Sequence, residues 1–152
     1  MNCYAKITAL LLIVIAVPFA CSSTPKFSNV VDKDWKLIAV RGGSEGITFD
    51  RNKLVEEDFA DIFTLRFDKE RVNGVGAPNR YFAPYTLSDK LGISIKAMAQ
   101  TQMAAVREPE YLKEQDFFAY LQNTTKWNIV NKNLELYSTD KDGAAVVLVF
   151  AP

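Results

Sequence analysis

The sequence predicts an α+β domain built on an antiparallel sheet, on three observations. Several short segments alternate apolar and polar residues with a period of two. One stretch only, residues 109–122, carries apolar residues at helical spacing. Strand patterns stand both before and after that helix, and no repeat of about 20–50 residues is present, which excludes solenoids and points to one sheet with one helix.

Taken in order, Trp35, Leu37 and Ala39 alternate with Lys36, Ile38 and Val40 in a first strand that Gly42-Gly43 ends. Residues 44–61 show no assignable pattern. Phe63, Leu65 and Phe67 face one way, Thr64 and Arg66 the other, before a tight turn at Asp68-Lys69-Glu70-Arg71 leads into Val72-Asn73-Gly74. A strand follows at Tyr81–Thr86, where Pro84 suits an edge or a bulge. Leu91, Ile93 and Ile95 then alternate with Gly92, Ser94 and Lys96. The helix is expected to start with Pro109 in its first turn, Glu108 and Glu110 near the positive end of its dipole, and to fade at Asn123-Thr124. Tyr111, Phe118 and Leu121, with Leu112 and Phe117 beside them, form its apolar stripe. Two closing strands, Leu134–Tyr137 and Ala145–Phe150, are joined by a turn over Thr139–Gly143. Val146, Leu148 and Phe150 line one face of the last strand, and Val147 and Val149 make the other apolar too, as in a strand flanked on both sides.

The N-terminus carries a separate message. Lys6 precedes an apolar run from Ile7 to Ala20 that stops at Cys21 and gives way to Ser22-Ser23-Thr24-Pro25. Those fourteen residues reach only about 21 Å as a helix, short of a ~30 Å hydrocarbon core. The pattern is that of a secretory signal peptide over residues 1–20 rather than a membrane span. Cys21 resembles the lipidated cysteine of bacterial lipoproteins. Ala20 fits that motif, whereas Pro18 and Phe19 depart from it. The alternative is an ordinary secreted protein cut near Ala20, with Cys21 a free thiol. Cys3 would leave with the leader, so Cys21 has no intramolecular disulfide partner. Several acyl chains such as palmitate, at about 0.8 kcal/mol per buried methylene, give a stable anchor. Residues 22–33 are polar, contain a proline, and read as a flexible tether, with the folded domain over 34–152.

Composition narrows the chemistry. Without residues 1–20 the chain has 132 residues, one domain's worth, with 17 basic and 18 acidic side chains. A net charge near −1 lacks the basic excess expected of a nucleic-acid binder. There is no histidine, the commonest general base and metal ligand, so no metal and no cofactor is expected. Ten Phe, six Tyr and two Trp supply ample core volume.

Several segments, in order, resemble the META domain family of HslJ-type envelope proteins. Trp35-Lys36-Leu37 is similar to its first strand. The run Val72-Asn73-Gly74-Val75-Gly76-Ala77-Pro78-Asn79-Arg80-Tyr81, with Tyr85, resembles its glycine-rich stretch ending in Cys-Asn-Arg-aromatic. Thr101-Gln102-Met103-Ala104-Ala105 resembles its Thr-x-Met-Ala-Cys segment. Glu114, Phe117, Phe118 and Leu121 match its acidic-then-aromatic helix, and Leu134-Glu135-Leu136 with Asp142-Gly143 its closing hairpin. The resemblance covers residues 34–151. Where many members carry two cysteines this chain has Pro78 and Ala105, so the fold holds without that bridge. The resemblance implies a compact, barrel-like antiparallel sheet with one main helix packed against it. It implies no catalytic residues, and associates the chain with stress tolerance, secretion or envelope maintenance. The fold is also similar to that of lipoprotein pilots that assist secretion pores.

The candidate sites each have a structural alternative. Gly74, Gly76 and Asn79 sit in a segment whose backbone N–H groups are able to cradle an anion, but a phosphate loop opens a helix and here strand residues follow, so a turn is the preferred reading. With Thr101 and Met103 they form a motif read as structural, with a binding surface as its further use. Asp140 and Asp142 before Gly143 resemble the start of a calcium loop, yet no acidic residue follows to complete it, and a hairpin turn is preferred. Glu56-Glu57-Asp58 and the pair Glu108 and Glu110 lie in polar, solvated stretches unsuited to shifted catalytic carboxyls. Ser44 and Thr101 lack a histidine to activate them. Tyr81, Phe82, Phe117 and Phe118, with Tyr85 and Tyr120, line either an apolar groove or, preferred here, an aromatic core beneath the helix.

The functional expectation is therefore a non-enzymatic envelope protein, held on a bacterial membrane at Cys21, that binds an envelope or secretion protein partner. Its alternative is a carrier or sensor of a lipid or small amphiphile in a cavity between helix and sheet.

Overall fold

A computed structural model describes residues 24–43, 46–104, 107 and 109–152. The leader 1–20, Cys21, Ser22, Ser23, Ser44, Ala105 and Glu108 lie outside the described residues. After a single 3-10 turn at Phe27–Asn29 the elements run β1 (Trp35–Gly42), β2 (Ile47–Thr48), α1 (Arg51–Glu56), β3 (Thr64–Phe67), β4 (Arg71–Val75), β5 (Arg80–Ser88) and β6 (Gly92–Ile95). Then follow β7 (Ala99–Gln100), α2 (Glu114–Gln122), β8 (Lys126–Val130), β9 (Asn133–Thr139) and β10 (Ala145–Ala151).

Every pairing is antiparallel. The strands follow one another as β1-β3-β4-β5-β6-β8-β9-β10, and β10 returns to β1 with Lys36 opposite Ala151 and Gly42 opposite Val146. Eight strands thus close into a barrel, which removes the free edges of an open sheet. The two-residue strands β2 and β7 attach to β1 and β5.

The alternation read from the sequence sets which side chains fill the interior. Leu65 and Phe67, Val72, Tyr81 and Ala83, Ile93 and Ile95, Leu134 and Leu136, and Val146, Leu148 and Phe150 are all buried inside. Each large side chain removed from water contributes roughly 1.5–3 kcal/mol. The barrel is loosest between β6 and β8, which share one residue pair, Gly92 with Lys126. There α2 lies against β6 and β9 and buries Phe117, Phe118 and Leu121, while Lys96 Nζ donates to the Gln122 carbonyl at its end.

The other short helix, α1, lies in the stretch 44–61 that carried no pattern. Asp50 caps it by accepting from the Asn52 and Lys53 amides. Arg51 donates to the Ile62 and Phe63 carbonyls, and partial burial lowers its pKa to about 10.

Four expectations need correction. Residues 27–33 are not a free tether: the Phe27 ring packs against Phe67, Tyr85 and Trp127 at 5.2, 5.4 and 4.9 Å, and Val30, buried, accepts a hydrogen bond from Trp35 Nε1. The helix begins at Glu114 rather than at Pro109, because residues up to Lys113 pass outside it. Pro84 sits on neither an edge nor a bulge. It is the last residue of β5 paired with β4, and the pairing with β6 begins at Tyr85, so its missing N–H falls where the strand changes partners. Finally, β8 completes the ring where no strand was assigned, with Trp127 as its buried residue.

Candidate functional site

The motif residues converge at one end of the barrel, where the loop from β4 to β5, the segment after β7 and the first turn of α2 meet. Asn79 is the hub. Its backbone N–H donates to Glu114 Oε1 at 2.6 Å and its side-chain Nδ2 to Glu114 Oε2 at 2.6 Å. Its Oδ1 accepts from the Thr101 hydroxyl at 2.9 Å and from the Met103 amide at 2.7 Å. The Thr101 hydroxyl in turn accepts from the Arg80 amide at 3.1 Å.

Glu114 also accepts from the Ala77 amide at 2.5 Å. The loop therefore does cradle an anion with its backbone N–H groups, and that anion is the protein's own Glu114 carboxylate. A negative side chain in the first turn of α2 also suits the helix dipole. With the cradle filled from within, the phosphate-loop alternative falls away.

The glycines follow from the same packing. A Cβ on Gly76 would lie 2.5 Å from Glu114 Oε1 and 2.6 Å from Phe118 Cζ, so only glycine lets α2 seat on the loop. A Cβ on Gly74 would meet the Thr64 carbonyl oxygen at 2.0 Å, because β3 passes directly over it. Gly74 is thus part of the barrel wall rather than of the hub. The peptide bond between Ala77 and Pro78 is cis.

Two clefts open beside the hub. One, of about 610 Å³, runs along Asn79, Thr101, Met103 and Glu114. The other, of about 380 Å³, is lined by Phe59, Pro78, Met103, Ala104 and Arg107. Met103 belongs to both, its backbone amide held by Asn79 and the residue 60% exposed. Arg107 donates to the Glu57 carbonyl and covers the Phe59 ring at 5.0 Å, which ties the loop after α1 to this surface.

The four aromatic residues do not form one groove. Tyr81, Phe117 and Phe118 are buried, with Tyr81 5.3 Å from Phe118 and 6.0 Å from Phe117, and they belong to the core. Phe82, next in the strand, points to the opposite face and is 48% exposed. The Tyr81 hydroxyl donates to the Thr64 carbonyl, and burial pushes its pKa well above 10.

The other sequence candidates have local roles. Asp140 Oδ1 accepts from the Asp142 and Ala144 amides and closes the hairpin. Glu57 pairs with Lys53 one turn earlier at 3.7 Å, on the surface. Among the described residues no three His, Cys, Asp or Glu side chains are grouped to hold a metal. Sequence reading missed Glu114 as the partner of Asn79, and Phe59 and Arg107 as walls of the cleft. The one available signal was the place of Glu114 in the acidic-then-aromatic helix that follows the Thr101–Met103 segment.

The architecture is that of a small closed antiparallel barrel carrying two short helices. A family model for the META domain matches residues 28–151, and the chain belongs to that family. Two solved structures share the fold. An NMR structure of a protein from Burkholderia xenovorans has a TM-score of 0.58 and 16% identity, over 91% of this chain and 99% of that one. A crystal structure at 1.00 Å resolution of a DUF4847 family protein from Bacteroides vulgatus has a TM-score of 0.54 and 14% identity, over 82% of this chain and 95% of that one. None of the curated proteins matches.

Proposed function

We propose that this META domain protein is a membrane-tethered, non-catalytic component of the bacterial envelope that holds a protein partner at the clefts around Met103. The observation that carries the reading is the placement of two features at opposite ends of the barrel. Strand β3 runs from Thr64, beside the hub, to Phe67, which packs on Phe27. Strand β5 likewise starts at Arg80, next to Asn79, and ends at Ser88 near the turn into β6. The chain enters at one end, and the motif surface lies at the other.

Between Cys21 and Phe27 there are six residue steps, at most about 20 Å of extended chain. The nine residues of β5 span a further ~30 Å. A lipid at Cys21 would hold the Phe27 end close to the bilayer and present Met103 away from it. An exposed methionine flanked by Phe59, Pro78 and Ala104 is the kind of adaptable apolar contact that protein partners use. The side chains at the hub are committed to one another, which favours a structural and recognition role over catalysis. Envelope maintenance, secretion or stress tolerance are the settings consistent with the family.

Mass spectrometry of the N-terminus isolated from membranes tests the anchor. A diacylated or triacylated Cys21 supports the reading, and an unmodified N-terminus in the soluble fraction contradicts it.

A further inference from the structure

The outer face of β3, β4 and β5 carries a second, different surface. Arg66, Asn73 and Phe82 lie directly opposite one another across three strands. Arg71 and Arg80 stand two residues from Asn73 and from Phe82, hence on the same face. These five side chains, together with the carboxylates of Asp34 and Asp68, line a cleft of about 480 Å³ on the barrel flank that Met103 does not border.

The cationic groups are available there. Arg66 pairs with Asp32 at 3.6 Å and with Asp34 at 3.2 Å, and Arg71 pairs with Asp68 at 3.7 Å. All are solvent-exposed pairs of the weak kind that a better acceptor displaces. Among the described residues Arg80 has no ion-pair partner. Phe82 stands between these groups with the Arg71 guanidinium 5.8 Å from its ring centre and much of its surface open. An exposed aromatic ring among guanidinium groups and an amide offers two different contacts, one for charge and one for a flat organic body.

We propose that this cleft binds a phosphate ester: the phosphate held by Arg66, Arg71 and Arg80, the organic portion resting on Phe82. Guanidinium forks match phosphate oxygens in bidentate geometry, which favours this class over a simple halide or a cation. Asn73 supplies a neutral donor and acceptor between them. The cleft shares no lining residue with the clefts at Met103, and its occupant is either a soluble sugar phosphate or a phospholipid headgroup, which present the same chemistry.

The test uses the full chain in neutral detergent at low ionic strength, titrated with inorganic phosphate, glucose phosphate and glucose. Saturable binding of both phosphates, none of glucose, is expected. Arg66→Gln and Arg80→Gln should each weaken glucose phosphate by about tenfold. Phe82→Ala should weaken glucose phosphate while leaving inorganic phosphate unchanged. All three positions are solvent-facing, so the melting temperature should hold in each variant. Displacement of glucose phosphate by phosphatidylglycerol in mixed micelles assigns a headgroup, and failure to displace it a soluble ligand. Absence of saturable phosphate binding, or binding equal in the parent and in an Arg66→Gln, Arg71→Gln, Arg80→Gln triple variant, overturns the proposal.

Discussion

Asn79 and Glu114 grip each other across 35 residues of sequence: both oxygens of the carboxylate accept from Asn79, one from its backbone and one from its side chain, at 2.6 Å. This contact joins the loop after β4 to the start of α2, and through Asn79 Oδ1 it also fixes the segment that carries Met103.

Removing the carboxylate leaves the Ala77 and Asn79 amides without their acceptor. Hydrogen bonds to charged groups contribute about 1.5–3 kcal/mol each, and their loss is only partly made up by water in this half-buried site. Glu114→Ala is expected to destabilise the fold by about 2–3 kcal/mol, seen as a lower denaturant midpoint. Asn79→Asp should be worse at neutral pH, because two carboxylates would face each other, seen as a still lower denaturant midpoint.

Gly76→Ala forces a methyl group into Glu114 and Phe118. Overpacking of this kind costs about 1–3 kcal/mol, and α2 is the element expected to loosen. Amide exchange of Phe117–Leu121 should therefore accelerate in this variant relative to that of β9 and β10. Unchanged exchange in α2 would argue against the tight seating described for it.

Phe27 closes the end of the barrel against three aromatic rings. Phe27→Ala should lower stability by about 2–4 kcal/mol, measured by thermal or denaturant unfolding. A chain beginning at residue 34 should lose at least as much, since Val30 goes too. Equal stability of that truncation would restore the tether reading for residues 27–33.

Tyr81, with Tyr85, Tyr120 and Tyr137 shifted in the same direction, contributes to the alkaline limb of the stability profile. Burial holds its folded pKa well above the ordinary value near 10, so the folded state keeps the proton that the unfolded chain releases. Its contribution is fully present below pH ~10 and is lost as pH rises from there toward the folded value. Tyr81→Phe should be less stable than the parent at pH 7, through loss of the bond to the Thr64 carbonyl, with the gap narrowing above pH ~10. Denaturant midpoints measured between pH 7 and 11 decide it.

The sequence showed those parts of the molecule that depend on local periodicity. The inward sets Leu65 and Phe67, and Ile93 and Ile95, alternate with polar or small residues, and the barrel places each inside, as it does Val146, Leu148 and Phe150 of the all-apolar last strand. What escaped was set by distant contacts. Strand β8 follows α2 with three residues between them and has one deeply buried residue, Trp127, too short a signal beside a helix pattern. Closure depends on pairing Lys36 with Ala151, which no local pattern encodes. Pro109 looked like a helix start because Pro and Glu favour a first turn, but the first helical hydrogen bond runs from the Phe117 amide to the Lys113 carbonyl, so α2 begins at Glu114. The same holds at the site. Asn79, Thr101 and Met103 were legible as one motif and Glu114 as part of another, the acidic-then-aromatic helix, but their meeting is made by the fold and no local pattern encodes it.

The central claim is that the Met103 end of the barrel meets a protein partner while the Phe27 end faces the membrane. Site-specific photocrosslinking in intact cells tests it most directly, with the crosslinker placed at Met103 or at Leu87, an exposed position near the opposite end. The account predicts one discrete crosslinked envelope protein from Met103 and none from Leu87, with capture lost when Pro78 is replaced by a charged residue. Capture from neither position, or the same products from both, would contradict it.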